Sequence, residues 1–368
     1  MSERFEQLII GSAHEGSEGM FTENPQEAGL SGDELVKART ERGIFPDAQQ
    51  RLEATFEKAG LSQNLELDNN VTYPTLDRWV EHRISNKRGT KFYPTFARNS
   101  AGELMFCKAQ LSDNPTALHG LEYEAKRLNN IPAGVNTPRF IDYFAPTEDE
   151  SAMLIVEAVP WSAGSVARAE DWNSTHAENA AQQIKILEES DLNTPETQEQ
   201  TDYAEKATTL LLGAGNTIDA QLKEKIEKLL QRSKTEITPA TVHGDACLKN
   251  IVIGKDNLSP VMFVDWELGE RGFLGQDAAK LWSDLGKNPE VANAFLVSYL
   301  HNTDGTINET RRAALSFGVV VENLVHLKWR NEQIIQKGRR SEFPNLDNEI
   351  SNLNQRIRDI FEASEKFQ

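Results

Sequence analysis

Residues 241–284 read TVHGDACLKNIVIGKDNLSPVMFVDWELGERGFLGQDAAKLWSD, and the turns within this stretch decide the fold. A short apolar lead enters a tight His243-Gly244-Asp245 turn, and Asn250 opens a small strand, Ile251-Val252-Ile253. Lys255-Asp256-Asn257 makes a hairpin turn, and a second apolar strand, Val261-Met262-Phe263-Val264, ends in Asp265. The hairpin gathers Asp245, Asn250 and Asp265 at one end of a short β-ribbon. Two carboxylates and an amide are hard oxygen donors, which suit Mg²⁺ rather than zinc. Taken alone, His-Gly-Asp is an ordinary turn and the other two are strand-end polar residues. Asn250 in register, with a strand delivering Asp265, is what favours chemistry.

HGDACLKN, FVDWE and GQDAAKL together resemble the aminoglycoside phosphotransferase and choline kinase family, whose typical form is HGD-x-x-x-x-N, then D-W-E, then D-L-A. The resemblance runs from residue 76 to about 335. It implies an α+β, bilobal protein-kinase-like fold with a small antiparallel β-sheet N-lobe and a mainly helical C-lobe. It also implies transfer of the γ-phosphoryl of Mg²⁺-bound ATP, or GTP, to a hydroxyl of a small molecule. Residue by residue, it makes Asp245 the group that accepts or orients the hydroxyl proton, and Asn250 and Asp265 the Mg²⁺ ligands. His243 reads as structural rather than as the base. Glu267 orients the metal shell or is a plain salt-bridge partner of Arg271. Asp277, at the place of the Asp in D-L-A, buttresses the catalytic loop, a role compatible with a helix N-cap.

Upstream, the sequence predicts antiparallel strands over Trp79–Ile84, Phe92–Arg98 and Leu104–Leu111, with Asn99–Gly102 as a turn. The connection SNKRGTK has only Gly89, so it is not a G-x-G-x-x-G loop, and it reads as a solvated basic turn. Lys108 stands alone among apolar strand residues, which calls for a partner. The helix Leu118–Leu128 offers Glu122 and Glu124. The family resemblance pairs Lys108 with Glu124 and sets the lysine on the α- and β-phosphates. Strands over Phe140–Ala145 and Met153–Val159 complete a five-stranded sheet. By the same resemblance, Glu157 to Val159 is the inter-lobe hinge whose backbone bonds the adenine edge.

These readings divide the chain into an N-terminal extension (1–75), an N-lobe (76–159) and a C-lobe (160–368). The extension carries helices over Ser31–Arg42 and Pro46–Ala59, which either pack on the small lobe or mediate self-association. In the C-lobe, Ala177–Leu187 and Gln221–Gln231 are amphipathic helices, Leu192–Thr201 is a polar loop and Gly213–Gly215 is a helix stop. A long helix over Thr310–Lys337 puts Glu322 and His326 on one face, where they line a pocket or stand exposed.

Net charge is −18 and the pI near 4.9, so nucleic-acid backbones and anionic membranes are disfavoured partners, and a cationic acceptor is weakly favoured. Two cysteines make no disulfide framework, no span has membrane-helix length and the N-terminus is not a secretory signal, so a cytoplasmic location is expected. Oligomeric state is not readable. A Ser-His-Asp hydrolase would need a G-x-S-x-G elbow, and a protein kinase HRD, DFG and APE; none is present. The competing class is a catalytically inactive kinase-fold protein that binds a nucleotide or a partner, but Lys108, Asp245, Asn250 and Asp265 are all in place. The acceptor classes on this scaffold are aminoglycosides, choline-like amines and sugars, and the fold does not choose among them.

Overall fold

A computed structural model describes residues 44–45, 47–65, 75–76, 79, 92–112, 120–158, 164–166, 171–190, 203–233, 237–254, 260–266 and 270–366. The expected helix over Ser31–Arg42, the turns over 85–91 and 255–257, the loop over 192–201, and the site residues Val159 and Glu267 lie outside them. The described chain forms two compact units, one from Glu18–Ile131 with Thr137–Ser165, the other from Pro132–Asn136 with Val166–Gln368.

The first unit is built on β1 (Ser62–Gln63), β2 (Phe92–Arg98), β3 (Leu104–Gln110), β4 (Phe140–Phe144) and β5 (Met153–Glu157). They make one five-stranded sheet in the order β1-β2-β3-β5-β4, and every pair is antiparallel. Burial alternates strictly along β3: Met105, Cys107 and Ala109 enter the core, while Phe106 and Lys108 share the opposite face. Helix α1 (Ala48–Lys58) lays Ala48, Leu52 and Phe56 into the same core as Tyr93, Phe96, Cys107 and Ile155. Thr55 locks it there, its Oγ1 accepting the Ser151 N–H at 3.0 Å. This second N-terminal helix therefore belongs to the sheet unit. Helix α2 (Leu121–Leu128) follows β3.

The expected strand over Trp79–Ile84 is corrected at its first residue; the other five lie outside the described residues. Trp79 is helical, its N–H bonded to the Thr75 carbonyl at 2.9 Å, and its ring meets Tyr93 edge-on at 5.8 Å. Among the described residues the fifth strand of the sheet is β1, two residues long with no apolar alternation to announce it. The apolar signal at Trp79 reports burial from a helical turn, which a short window does not distinguish from a strand.

The second unit is mainly helical: α3 (Ser174–Glu189), α4 (Tyr203–Ala214), α5 (Ala220–Ser233), α6 (Gln276–Leu285), α7 (Pro289–Leu300), α8 (Glu309–Arg330) and α9 (Leu346–Lys366). Gly215, at φ 56°, ends α4. The expected helix over Thr310–Lys337 is α8 followed by a π-turn over 331–335. Phe317, Val320, Val321, Leu324 and Val325 of α8 form a core with Leu210, Leu211, Phe273 and Ile357. Two β-pairs frame the decisive stretch. β6 (Pro239–Val242) runs antiparallel to β9 (Glu270–Phe273), and β7 (Ile251–Gly254) to β8 (Met262–Phe263). The fold is thus α+β and protein-kinase-like, with an antiparallel sheet unit and a mainly helical unit. Among the described residues no helix is long and apolar enough to cross a membrane.

Candidate active site

Strand β6 delivers His243, and the chain then turns at Gly244, whose φ of 84° suits glycine and strains other residues. Buried Asp277 holds this turn, its carboxylate accepting the N–H of His243 at 2.5 Å and of Gly244 at 3.0 Å. Burial pushes the Asp277 carboxyl up, against the pull of His243 and the two N–H donors. Helix α6 is capped by Gly275 and Asp277 is its second residue, so its side chain serves the loop and not the helix end.

His243 is fully buried, and that burial drives its pKa down, so it is neutral. Its Nε2–H donates to the Val264 carbonyl at 3.0 Å, leaving Nδ1 to accept the Asp245 N–H at 3.3 Å. The ring packs on Trp266 at 4.4 Å and Phe263 at 5.8 Å. With both nitrogens engaged inside the protein, His243 is a strut between the turn and the second strand of the hairpin.

The Asp245 side chain is buried, with both oxygens contacted by donors. Asn250 Nδ2 donates to Oδ2 at 2.8 Å and to the Asp245 backbone carbonyl at 3.0 Å. Lys280 Nζ forms an ion pair with Oδ1, and Lys249 Nζ lies 3.5 Å from Oδ2. Burial alone would raise this carboxyl, but Lys280 and then Lys249 outweigh it and hold Asp245 below the usual carboxylate range. A 3-10 turn over Leu248–Asn250 closes the loop, with the Leu248 N–H on Asp284 Oδ2 at 3.1 Å.

The hairpin register then sets Asp265 beside Asn250. Ile251 pairs with Phe263, and the Val264 N–H donates to the Asn250 carbonyl at 2.9 Å. Asp265 follows at φ 65°, the sole non-glycine with positive φ among the described residues, and is exposed. That left-handed step costs an L-residue about 1–2 kcal/mol, though aspartate tolerates it better than most, and it re-aims the side chain at the strand end. The Asn250 amide nitrogen is committed to Asp245, and within the described residues its Oδ1 accepts no hydrogen bond. An uncommitted amide oxygen beside an exposed carboxylate fits Mg²⁺, which takes few protein oxygens and fills its shell with water and phosphate.

In the sheet unit, Lys108 Nζ lies 3.0 Å from Glu124 Oε2 and over the Phe92 ring at 5.1 Å. Glu124 is buried on the first turn of α2. Glu157 is exposed at the end of β5 and pairs with Arg139 at 3.4 Å. The N–H groups of Glu157 and Ala158 already bond the Arg139 and Leu104 carbonyls, at 2.9 and 3.4 Å. Donors for a base edge would therefore have to come from beyond Ala158.

Lys280 was not singled out from the sequence, although a buried lysine in the apolar helix run Ala278-Ala279-Lys280-Leu281-Trp282 is the same signal that marks Lys108. Glu322 lines a cavity with Gly244, Gln276, Asp277, Lys280 and Val321, and His326 Nε2 sits 3.3 Å from its Oε1. The approach is set by glycine. A Cβ on Gly318 would lie 2.7 Å from the Gly275 carbonyl oxygen and 2.8 Å from Ala279 Cβ, so only glycine lets α8 and α6 close to this distance.

The His-Gly-Asp turn, the structural aspartate under it, the Asn–Asp pair in it and the strand-end aspartate are thus gathered at one end of the hairpin. Residues 93–315 match the phosphotransferase enzyme family, and the chain belongs to that family. Solved structures similar to it include an aminoglycoside phosphotransferase from Alicyclobacillus acidocaldarius, at 13% identity and TM-score 0.49, covering 74% of this chain and 89% of that one. An ethanolamine kinase from Plasmodium vivax aligns at 14% identity and TM-score 0.48, over 91% of this chain and 97% of that one. The choline kinase LicA of Streptococcus pneumoniae aligns at 12% and 0.46, over 72% and 89%. No curated protein matches the sequence.

Proposed function

We propose that this family member is a small-molecule kinase that moves the γ-phosphoryl of Mg²⁺-bound ATP, or GTP, to a hydroxyl group. The observation that carries the reading is the clamped Asp245–Asn250 pair with Asp265 set next to it by the hairpin register. A carboxylate has about four acceptor sites, more than its present donors occupy, so Asp245 can accept a hydrogen bond from an incoming hydroxyl and orient it for in-line attack. Its depressed pKa makes it a weak base. The proton is therefore taken late, as the oxygen bonds to phosphorus, which suits a loose phosphoryl-transfer transition state.

Asn250 Oδ1 and the Asp265 carboxylate would hold Mg²⁺, and the bound ion would supply charge neutralisation on the phosphate oxygens. Lys108, fixed by Glu124, would hold the α- and β-phosphates. Glu267 and Val159 keep their proposed places in the metal shell and at the adenine edge. Asp277 and His243 support the loop without touching the reacting atoms. The acceptor is an aminoglycoside, a choline-like amine or a sugar, and the charge of −18 favours a cationic one. A cytoplasmic location suits a nucleotide-dependent enzyme with two unpaired, buried thiols.

The test is Mg²⁺-dependent ADP release across pools of hydroxyl-bearing metabolites and aminoglycosides, with Asp245→Asn alongside. A pool that raises turnover in the wild type and not in the variant is the expected result. Failure of the protein to bind Mg²⁺-nucleotide at all would overturn the reading.

A further inference from the structure

We propose that Lys280 is a positioning residue for Asp245: its ammonium, ion-paired with Asp245 Oδ1, fixes one Asp245 oxygen while Asn250 fixes the other. The proposal rests on the reading of Asp245 as the residue that orients the acceptor hydroxyl.

Lys280 sits in α6, where Ala278, Ala279, Leu281 and Trp282 are all buried, so its ammonium leaves water at a high desolvation cost. Such a lysine persists only with charged partners. Asp245 is one, through a direct ion pair with Oδ1. Glu322, lining the same cavity from α8, is the second, and the pull of both carboxylates overcomes burial and keeps the ammonium charged. His326 in turn holds the Glu322 carboxylate at 3.3 Å. The direct contact is the one to Asp245, and Glu322 acts on the ammonium through its charge across the shared cavity.

A carboxylate gripped at one oxygen still rocks about its last torsion, which is broad and nearly two-fold. Gripped at Oδ2 by Asn250 and at Oδ1 by Lys280, it presents a fixed plane to an incoming hydroxyl. Lys249 does not substitute for Lys280, because it approaches the oxygen that Asn250 already holds, at 3.5 Å. Without Lys280, the like charges of Asp245 and Glu322 would also lose the cation that acts on both.

The experiment pairs Lys280→Met with Lys280→Arg and Glu322→Gln in two measurements. In the first, side-chain ammonium NMR of ¹⁵N-lysine-labelled protein identifies the Lys280 signal by its loss in Lys280→Met. That slowly exchanging signal should shift or vanish in Asp245→Asn and shift in Glu322→Gln. In the second, with the acceptor found by the pooled assay, Lys280→Met should lower kcat by about 10- to 100-fold, the range expected of a displaced catalytic group. KM for nucleotide should stay within about threefold, since misplacing Asp245 leaves nucleotide contacts alone. Lys280→Arg should recover part of the loss, and Glu322→Gln should give a smaller fall in kcat. A purely structural lysine would show unchanged kcat in whatever fraction folds, and that result overturns the proposal. So does an ammonium signal indifferent to Asp245. If the protein fails to bind Mg²⁺-nucleotide, the kinase reading falls and takes the catalytic role of Lys280 with it, while the NMR arm still reports whether the contact to Asp245 forms.

Discussion

Replacing Gly318 by alanine places a methyl group 2.7 Å from the Gly275 carbonyl oxygen and 2.8 Å from Ala279 Cβ. Neither neighbour is the flexible end of a side chain. Gly275 is itself immobile: at φ 85° it turns into α6, and its own Cα faces the Ala314 and Leu315 backbone, where an added Cβ would sit 2.7–2.8 Å away. The only relief is to part α6 and α8 by roughly 1 Å, which such overpacking prices at about 1–3 kcal/mol. Alanine's better helix propensity returns about 1 kcal/mol. The net expectation is a loss of up to about 2 kcal/mol in urea unfolding, with Cm lowered and m unchanged. Lys280 follows Ala279 directly and Glu322 lies one turn beyond Gly318, so the same separation should lower kcat through the clamp on Asp245. Gly286→Ala is the control, since its Cβ would come no closer than 3.4 Å to the Ser283 carbonyl, and it should be near neutral. A Gly318→Ala protein more stable than the wild type by the full propensity gain would show that the helices do not touch as described.

Asp277→Ala should cost about 2–4 kcal/mol and most of the activity, because two buried N–H groups lose their acceptor; Asp277→Asn, which keeps one acceptor oxygen, should fall between, as read by denaturant titration. Asp265→Gly should leave stability unchanged or up to about 1 kcal/mol higher by relieving a left-handed aspartate, yet remove the Mg²⁺ dependence of nucleotide affinity in calorimetry. Glu188 is buried against the Gly275 N–H and Tyr299 hydroxyl, and burial pushes its carboxyl up to about 8. Between its ordinary value of 4.5 and about 8 the folded protein keeps a proton that the unfolded chain releases. Its contribution to stability is therefore full below that window, falls as pH rises through it and is level above. The stability of Glu188→Gln relative to wild type should accordingly rise by a few kcal/mol from pH 5 to about 8 in urea titrations, and a flat difference would contradict the assignment.

The layout of the His243–Asn250 loop was legible because its geometry is local. His243, Asp245 and Asn250 lie within eight residues, and a hairpin with ordinary alternation carries Asp265 back to them. Lys108 was legible as a charged residue in an apolar strand that calls for a partner, and the family resemblance, not the pattern, chose Glu124 over Glu122. Lys280 was not, because its partners are brought to it by tertiary contact. Asp245 lies 35 residues earlier, and Glu322 arrives only because two glycines let α6 and α8 close. Strand β1 was missed since two residues carry no period, and Trp79 misled because an isolated buried aromatic looks the same in a helical turn as in a strand. Glu188 gave no warning either: an acid near a helix end reads as exposed until Tyr299 and Gly275 are folded onto it.

The most direct test of the central claim is ³¹P NMR of the purified protein with Mg²⁺-ATP and an acceptor pool that raises ADP release. A phosphomonoester resonance growing in step with ADP, absent in Asp245→Asn, is the result predicted. ADP accompanied only by inorganic phosphate, or a phosphomonoester formed equally by Asp245→Asn, would contradict it.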